Sequence, residues 1–283
     1  MLVAKYDPAY PAALREIPDP PDGLYIRGTI PRTKRLPFAI VGTRRATPEG
    51  LQTARRFGRE LAAAGFPIVS GLALGVDAAA HTGCLEAPGG IAIAVLAGGL
   101  DDIYPHENKK LGESILERGG AIVSEYPEGS PPYGYRFLER NRIVSGLSCG
   151  VLIIEAPRGS GSLATARDAM EQNRDVFVVP GSITHPNFAG SHELIRQGAT
   201  LVTSPQEILD EYGVTIGEKS SWASRAATRD EMLILNALQE IAAVAHVDKI
   251  ISMTKLEPRV VTSLLSLLLL RGLIREERGG YTI

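Results

Sequence analysis

The chain has 283 residues, 44% hydrophobic and 22% charged, with a formal net charge of −2. That length makes one large or two small domains and supports a full core without disulfides or metals. The ordinary composition excludes a collagen-like, disordered or disulfide-stapled chain, and the net charge by itself carries no nucleic-acid signal.

Cys84 and Cys149 stand far apart with no CxxC spacing, which suits buried thiols in a reducing cytoplasm. The start, MLVAKYDPAYP, has no basic region followed by an apolar stretch, so no signal peptide is expected. The longest apolar run, Leu264 to Leu270, is broken by Ser266 and too short to cross a bilayer, so no membrane partner is expected. The net charge hides an uneven distribution. Residues 32–59 hold eight Lys/Arg against Glu49 alone, a local +7, and residues 99–128 have a local −4. A solvated helix face is the plain reading of either run.

Residues 1–37 are Pro-rich and read as an extension packed on a larger body. A regular alternation follows. Short apolar runs at Phe38–Gly42, Phe66–Ser70, Ile91–Leu96, Ala121–Ser124, Gly150–Ile154 and Val176–Val179 mostly have helical segments between them. The first such helix, Glu49 to Ala64, puts Leu51, Ala54, Phe57, Leu61 and Ala62 on one side. Continuously apolar strands between helices predict a Rossmann-like, doubly wound α/β domain with a mostly parallel sheet, residues 38–212. Residues 213–227 read as a linker. Residues 228–283 predict a helix from an N-cap at Thr228 to about Ala242, a short helix near Asp248, a third from Pro258 to Arg271, and a terminal hairpin. This is a small winged-helix domain. Its seven basic and seven acidic residues cancel, which favours protein contact or packing over a duplex-DNA face.

Ligands of such sheets bind beyond the carboxyl ends of the strands. The first turn, Gly42-Thr43-Arg44-Arg45, lacks GxGxxG, and the next strand ends in Ser70 rather than an acid, which weakens a dinucleotide reading. Glycine, hydroxyl and guanidinium together still suit phosphate; a tight turn with exposed arginines is the bland alternative. In the second turn, Ser70 to Asp77, Asp77 can tie down loop NH groups, and His81 follows on the same helix face; a structural pair is favoured over a catalytic one. The third turn, Gly98 to Pro105, is acidic and not expected to take phosphate.

The run Tyr133 to Arg142 combines aromatics, arginines and an asparagine. Phe137, Arg140, Asn141 and Arg142 could stack bases and neutralise phosphates; an amphipathic helix with Phe137 in the core has the same composition. The loop Ser160-Gly161-Ser162, with Thr165 in the following helix, forms another anion nest.

The segments VGTRRATPEG, SGLALGVDAAAH, AVLAGGLDDIYPHEN, SEYPEG, FLERNRIVSGLS, EAPRGSGSLATARDAMEQNRDVFVVPG and LIRQGA succeed one another as in the DNA-processing protein A (DprA/Smf) family, which the chain resembles across nearly the whole α/β domain. The tail is similar to that family's winged-helix domain. The resemblance implies a homodimer through the Rossmann-like domain that binds single-stranded DNA. It implies loading of the recombinase RecA during natural transformation and recombination, with no catalysis, no cofactor and a cytoplasmic location. Carried across, the DNA site comprises Gly42, Thr43, Arg44, Arg45, Phe137, Arg140, Asn141, Arg142, Ser160, Gly161, Ser162 and Thr165. Leu138 stands where the family usually has proline, and His192 where it usually has asparagine. The rival is a nucleotide-binding enzyme such as a nucleoside-monophosphate phosphoribohydrolase. Against it, RGSGSLATARDAME lacks a double glycine after proline and has Arg167-Asp168 where a catalytic glutamate is expected. No metal is expected, because the histidines show no HxxxH or HExxH spacing.

Overall fold

The computed structural model describes every residue except 32, 34, 215–227, 242–243, 272, 278 and 283. The expected linker therefore falls outside the described residues but for Gly213 and Val214. The chain divides into two units, Met1–Val214 and residues 215–283, each described by itself.

In the first unit, β1 (Leu2–Ala4), α1 (Ala12–Arg15) and β2 (Gly23–Gly28) come from the N-terminal extension. The alternation then runs β3 (Phe38–Val41), α2 (Pro48–Ala63), β4 (Ile68–Ser70), α3 (Val76–Glu86), β5 (Ala92–Val95), α4 (Lys109–Glu117) and β6 (Ala121–Ser124). It continues as α5 (Arg136–Gly146), β7 (Gly150–Ile153), α6 (Gly161–Glu171), β8 (Asp175–Val178), α7 (Ala189–Arg196), β9 (Thr200–Leu201) and α8 (Pro205–Glu211).

The sheet has the order β1-β2-β6-β5-β4-β3-β7-β8-β9. It is parallel from β6 to β9, and every residue of β3 to β7 is buried, as expected where helices cover both faces. The winding runs outward from β3 to β6, then returns to β7 beside β3 and proceeds the other way. Loops at the carboxyl ends of β3 and β7 therefore diverge and leave a crevice.

Residues 1–37 do more than pack on this body. β2 pairs antiparallel with β6, Tyr25 opposite Ser124, and β1 extends the edge. Leu14, Ile17 and Leu24 enter the core. Arg142 of α5 pins the extension: its Nη2 donates to Glu125 at 2.7 Å and its Nε to Asp19 at 2.9 Å. Its side chain is only 18% exposed.

Helix α2 begins as its sequence dictates, with Thr47 as N-cap accepting from Gly50 N at 3.0 Å and Pro48 at the first helical position. Ala54, Phe57, Leu61 and Ala62 are buried, but Leu51, expected beside them, is 37% exposed. Helices α2 and α3 meet most closely where Gly58 faces the Ala80 backbone and Gly83 faces the Arg55 backbone, with no room for a Cβ at either glycine. Towards the start of α2 the space between them opens into a groove that Leu51 borders. His81 of α3 is fully buried, and neither ring nitrogen forms a hydrogen bond. Burial pulls its pKa down to about 4; the Ser70 backbone acts weakly the other way and the Arg140 charge adds to the depression.

The second unit contains α9 (Arg229–Ile241), α10 (Val247–Thr254), α11 (Pro258–Leu270), β10 (Arg275–Glu277) and β11 (Gly280–Thr282). Thr228 and Glu231 form a reciprocal capping box at the start of α9, each side chain accepting from the other's backbone N at 3.2 Å. Leu235, Leu238, Ile250, Val261, Leu265 and Leu268 make its core. Ala245 and Tyr281 exchange backbone hydrogen bonds of 2.8 Å, which fasten the hairpin to the segment before α10 in a winged-helix arrangement.

Arg142→Ala leaves the half-buried Glu125 carboxylate without this partner and is expected to lower stability by about 1–2 kcal/mol in urea denaturation; an unchanged midpoint would refute the clamp. His81 sets a pH dependence. Its folded pKa lies below the ordinary value, so protonation favours the unfolded chain, and stability is lost as pH falls from about 6.5 towards 4. Relative to His81→Leu, the wild type should lose about 2.5 kcal/mol between pH 7 and 4.5; parallel stability curves would sink this assignment.

Candidate nucleic-acid interface

The crevice at the β3/β7 switch point is a cavity of about 510 Å³. Its walls include the turn after β3, the turn after β4, the first turns of α5 and the start of α6. Of the residues singled out from sequence, Gly42, Thr43, Arg44, Arg45, Phe137, Arg140, Asn141, Ser160, Gly161, Ser162 and Thr165 line it. Arg142 does not. It lies two residues beyond Arg140 on α5, and its guanidinium is spent on Glu125 and Asp19.

The arginines that do line the cleft differ in kind. Arg44 and Arg45 are exposed. The Arg44 guanidinium lies 5.0 Å from the centre of the Phe137 ring, and Phe137 in turn lies 6.0 Å from Tyr104. Arg140 is only 4% exposed and forms part of the floor, where its Nη1 donates to the Val95 carbonyl at the end of β5. A Cβ on Gly71 would collide with this guanidinium, so the glycine of the second turn is required by the arginine behind it.

Asp77 faces the same floor. Its Oδ2 accepts from Gly71 N at 3.0 Å and Ala73 N at 3.4 Å, as its place in the first turn of α3 suggested. Burial pushes the Asp77 carboxyl up, and the Arg140 charge and the NH donors work against that shift. Burial likewise draws Arg140 down to about 10, which leaves it charged at neutral pH. Asp77 opposes the shift, and the nearby Arg44 charge adds to it. An anion placed between Arg44 and Arg140 relieves that like-charge repulsion.

The opposite wall is polar and small. Ser160 and Ser162 hydroxyls lie 2.6 Å apart at the N-terminus of α6, and Asn141 Nδ2 donates to the Gly161 carbonyl at 3.1 Å. Thr165 and Ser162 are buried. Thr43 Oγ1 accepts from Arg45 N at 3.2 Å, shaping the turn that projects both arginines. The wall thus offers hydroxyls and a helix N-terminus to a phosphate, with a ring and a guanidinium plane beside it.

Sequence reading missed Glu155, the fully buried residue just after β7. Its carboxylate accepts from Thr47 N at 3.1 Å, from Thr47 Oγ1, and from Asn187 Nδ2 at 2.6 Å. It therefore sits at the N-terminus of α2, where the pyrophosphate of a dinucleotide rests in a Rossmann site. The acid in EAPRGSGS is the signal that could have revealed it. The two departures from the family pattern are also accommodated. Leu138 is an exposed helical residue lining the cleft. His192 Nε2 lies 3.2 Å from the Gly181 carbonyl, and its ring stacks on Phe188. Among the described residues, no group of three or more His, Cys, Asp or Glu could hold a metal ion, and no helix is long and apolar enough to cross a membrane.

Comparison with known proteins follows the same geometry. The family model for DNA recombination-mediator protein A matches residues 1–213, and that for the DprA winged helix domain matches residues 218–280. Protein Smf of Escherichia coli is 47% identical over 201 residues, covering 71% of this chain and 54% of the relative. That of Synechocystis is 46% identical over 211 residues, covering 73% and 52%. The chain thus spans about half the length of these curated relatives. Among solved structures, DNA processing protein A from Streptococcus pneumoniae superposes with a TM-score of 0.70 at 42% identity, over 75% of this chain and 74% of that one. The Helicobacter pylori protein, described for its single-stranded DNA binding mode, gives 0.64 at 37% identity, over 71% and 92%. With its first 213 residues matched by one family model, the chain belongs to the DNA recombination-mediator protein A (DprA/Smf) family.

Proposed function

We propose that the cleft binds single-stranded DNA and holds it without covalent chemistry. The observation that carries this reading is the Arg44 guanidinium 5.0 Å from the Phe137 ring at a cavity walled by hydroxyls and a helix N-terminus. A base freed from stacking can lie on such a ring while its phosphate meets Arg44, Arg45 and the start of α6. A duplex keeps its bases stacked inside and cannot offer one. The single-stranded DNA binding described for the Helicobacter pylori relative supports the same ligand.

In this reading Arg140 acts as a fixed charge beneath the site rather than as a direct ligand, and Arg142 takes no part. The protein acts in the cytoplasm on DNA taken up in transformation, works as a homodimer through its α/β unit, and passes the strand to RecA. The winged-helix unit is assigned to protein contact. The exposed residues of α11 include Arg259, Thr262, Ser263, Ser266 and Leu270, and the first wing strand is Arg275-Glu276-Glu277. One arginine on that helix and an acidic wing suit duplex phosphates poorly.

Titration of a labelled oligo-dT and a duplex of equal length tests the site. The single strand should bind at least about tenfold more tightly, and weaken with added salt. Arg44→Ala should weaken binding about tenfold whatever the base composition. Equal affinity for duplex, or no effect of Arg44→Ala, would overturn the reading; release of free base from nucleoside monophosphates would make the cleft an active site instead. A chain ending at Val214 should keep most of its affinity for the strand, and loss of binding by that folded fragment would refute the assignment of the tail.

A further inference from the structure

The turn after β4 holds a leucine out into solvent and has little freedom to withdraw it. Leu72 adopts φ +56, a left-handed conformation that disfavours a side chain with a Cβ. The conformation is held from several sides. The Leu72 side chain is fully buried, its carbonyl accepts from Asn108 Nδ2 at 2.8 Å, and Asp77 grips the NH groups of Gly71 and Ala73. Gly75, at φ +81, turns the chain into α3. Leu74, between these anchors, is left 40% exposed.

Leu74 borders the groove between α2 and α3, a second cavity of about 490 Å³. Leu51, Gln52 and Arg55 of α2 line it as well, together with Ala78 and Ala79 of α3. Arg44 lines both this groove and the cleft, so the two cavities meet at one cation. Arg55 is paired with Glu86, which also reaches Arg59 at 4.0 Å.

We infer that the groove carries the nucleic-acid strand onward from the cleft. The nucleotide beyond the one held at Arg44 packs its base between Leu74 and Leu51, and its phosphate displaces Glu86 from Arg55. This rests on the single-strand reading of the cleft. The occupant follows from continuity at Arg44 and from charge: the residues lining the groove include Arg44 and Arg55 and no aspartate or glutamate.

Anisotropy titrations of the full chain with oligo-dT of stepped length test the inference. The variants are Leu74→Glu, Gln52→Glu on the exposed face of α2, and Glu86→Gln. Leu74→Glu and Gln52→Glu should weaken long oligomers about fivefold or more and leave the shortest bound oligomer unchanged. Glu86→Gln, which frees Arg55, should tighten long oligomers alone by about threefold. Wild-type affinity at every length for both Leu74→Glu and Gln52→Glu would overturn the groove. Equal weakening at all lengths would do so too, because the substitutions would then be acting on the cleft. Failure of the underlying reading has a different signature: Arg44→Ala would leave the shortest bound oligomer unaffected.

Discussion

A guanidinium that exposes only 4% of its surface persists as a charge only where the protein replaces the water it has lost. Arg140 meets part of that demand with the Val95 carbonyl and the nearby Asp77 carboxyl, and leaves its Nε without a hydrogen bond. Asp77 Oδ2 in turn accepts from the backbone NH groups of Gly71 and Ala73. The attraction between Arg140 and Asp77, with the backbone hydrogen bonds each makes, thus links α5, the end of β5, the start of α3 and the turn after β4. It explains why residue 71 has no side chain. It also lies behind the strained Leu72 and the projection of Leu74.

Glu155 organises the other half of the crevice. Its carboxylate caps α2 through Thr47 and takes the Asn187 side chain, whose Nδ2 also reaches the Arg45 carbonyl at 3.0 Å. Two loops that are distant in sequence, after β3 and after β8, are drawn to one buried acid in a third. The consequence for function is an occupied place: the helix N-terminus that a dinucleotide uses already holds an internal carboxyl group. Binding capacity is displaced to Arg44, Arg45 and the N-terminus of α6, an open arrangement suited to a chain of phosphates rather than to one enclosed cofactor.

The modest net charge and the nucleic-acid reading agree once charge is placed on the fold. Arg44 and Arg45 of the first turn line the crevice, and Arg44 also lines the groove beside it. Much of the remaining charge is neutralised locally, as Arg142 is by Glu125 and Asp19 and Arg55 is by Glu86. Steering of a polyanion depends on the local field near the site, which falls off within about 10 Å at ordinary ionic strength, and not on the sum over the chain.

Local pattern alone determined much of this protein. Continuously apolar runs such as Ala121–Ser124 and Gly150–Ile153 have only one stable use, as strands covered on both faces. Their loops then fall at one edge, which made Gly42–Arg45 and Ser160–Ser162 legible as a site. Thr228 likewise announced its helix through a cap made with a residue three positions away. What sequence left undecided were the matters settled by contacts between distant segments. The N-terminal extension gave the strands Leu2–Ala4 and Gly23–Gly28 because β6 had a free edge. Leu51 was left exposed because the close approach of α2 and α3 at Gly58 and Gly83 lies further along the helices, and a groove opens beside Leu51. Arg140 and Arg142 look alike in the run FLERNR, yet two helical residues differ by about 200° in direction. One therefore turns towards Asp77 beneath the cleft and the other towards Glu125 and Asp19, a difference that exists only after β5, β6 and the N-terminal extension have been brought to either side of α5.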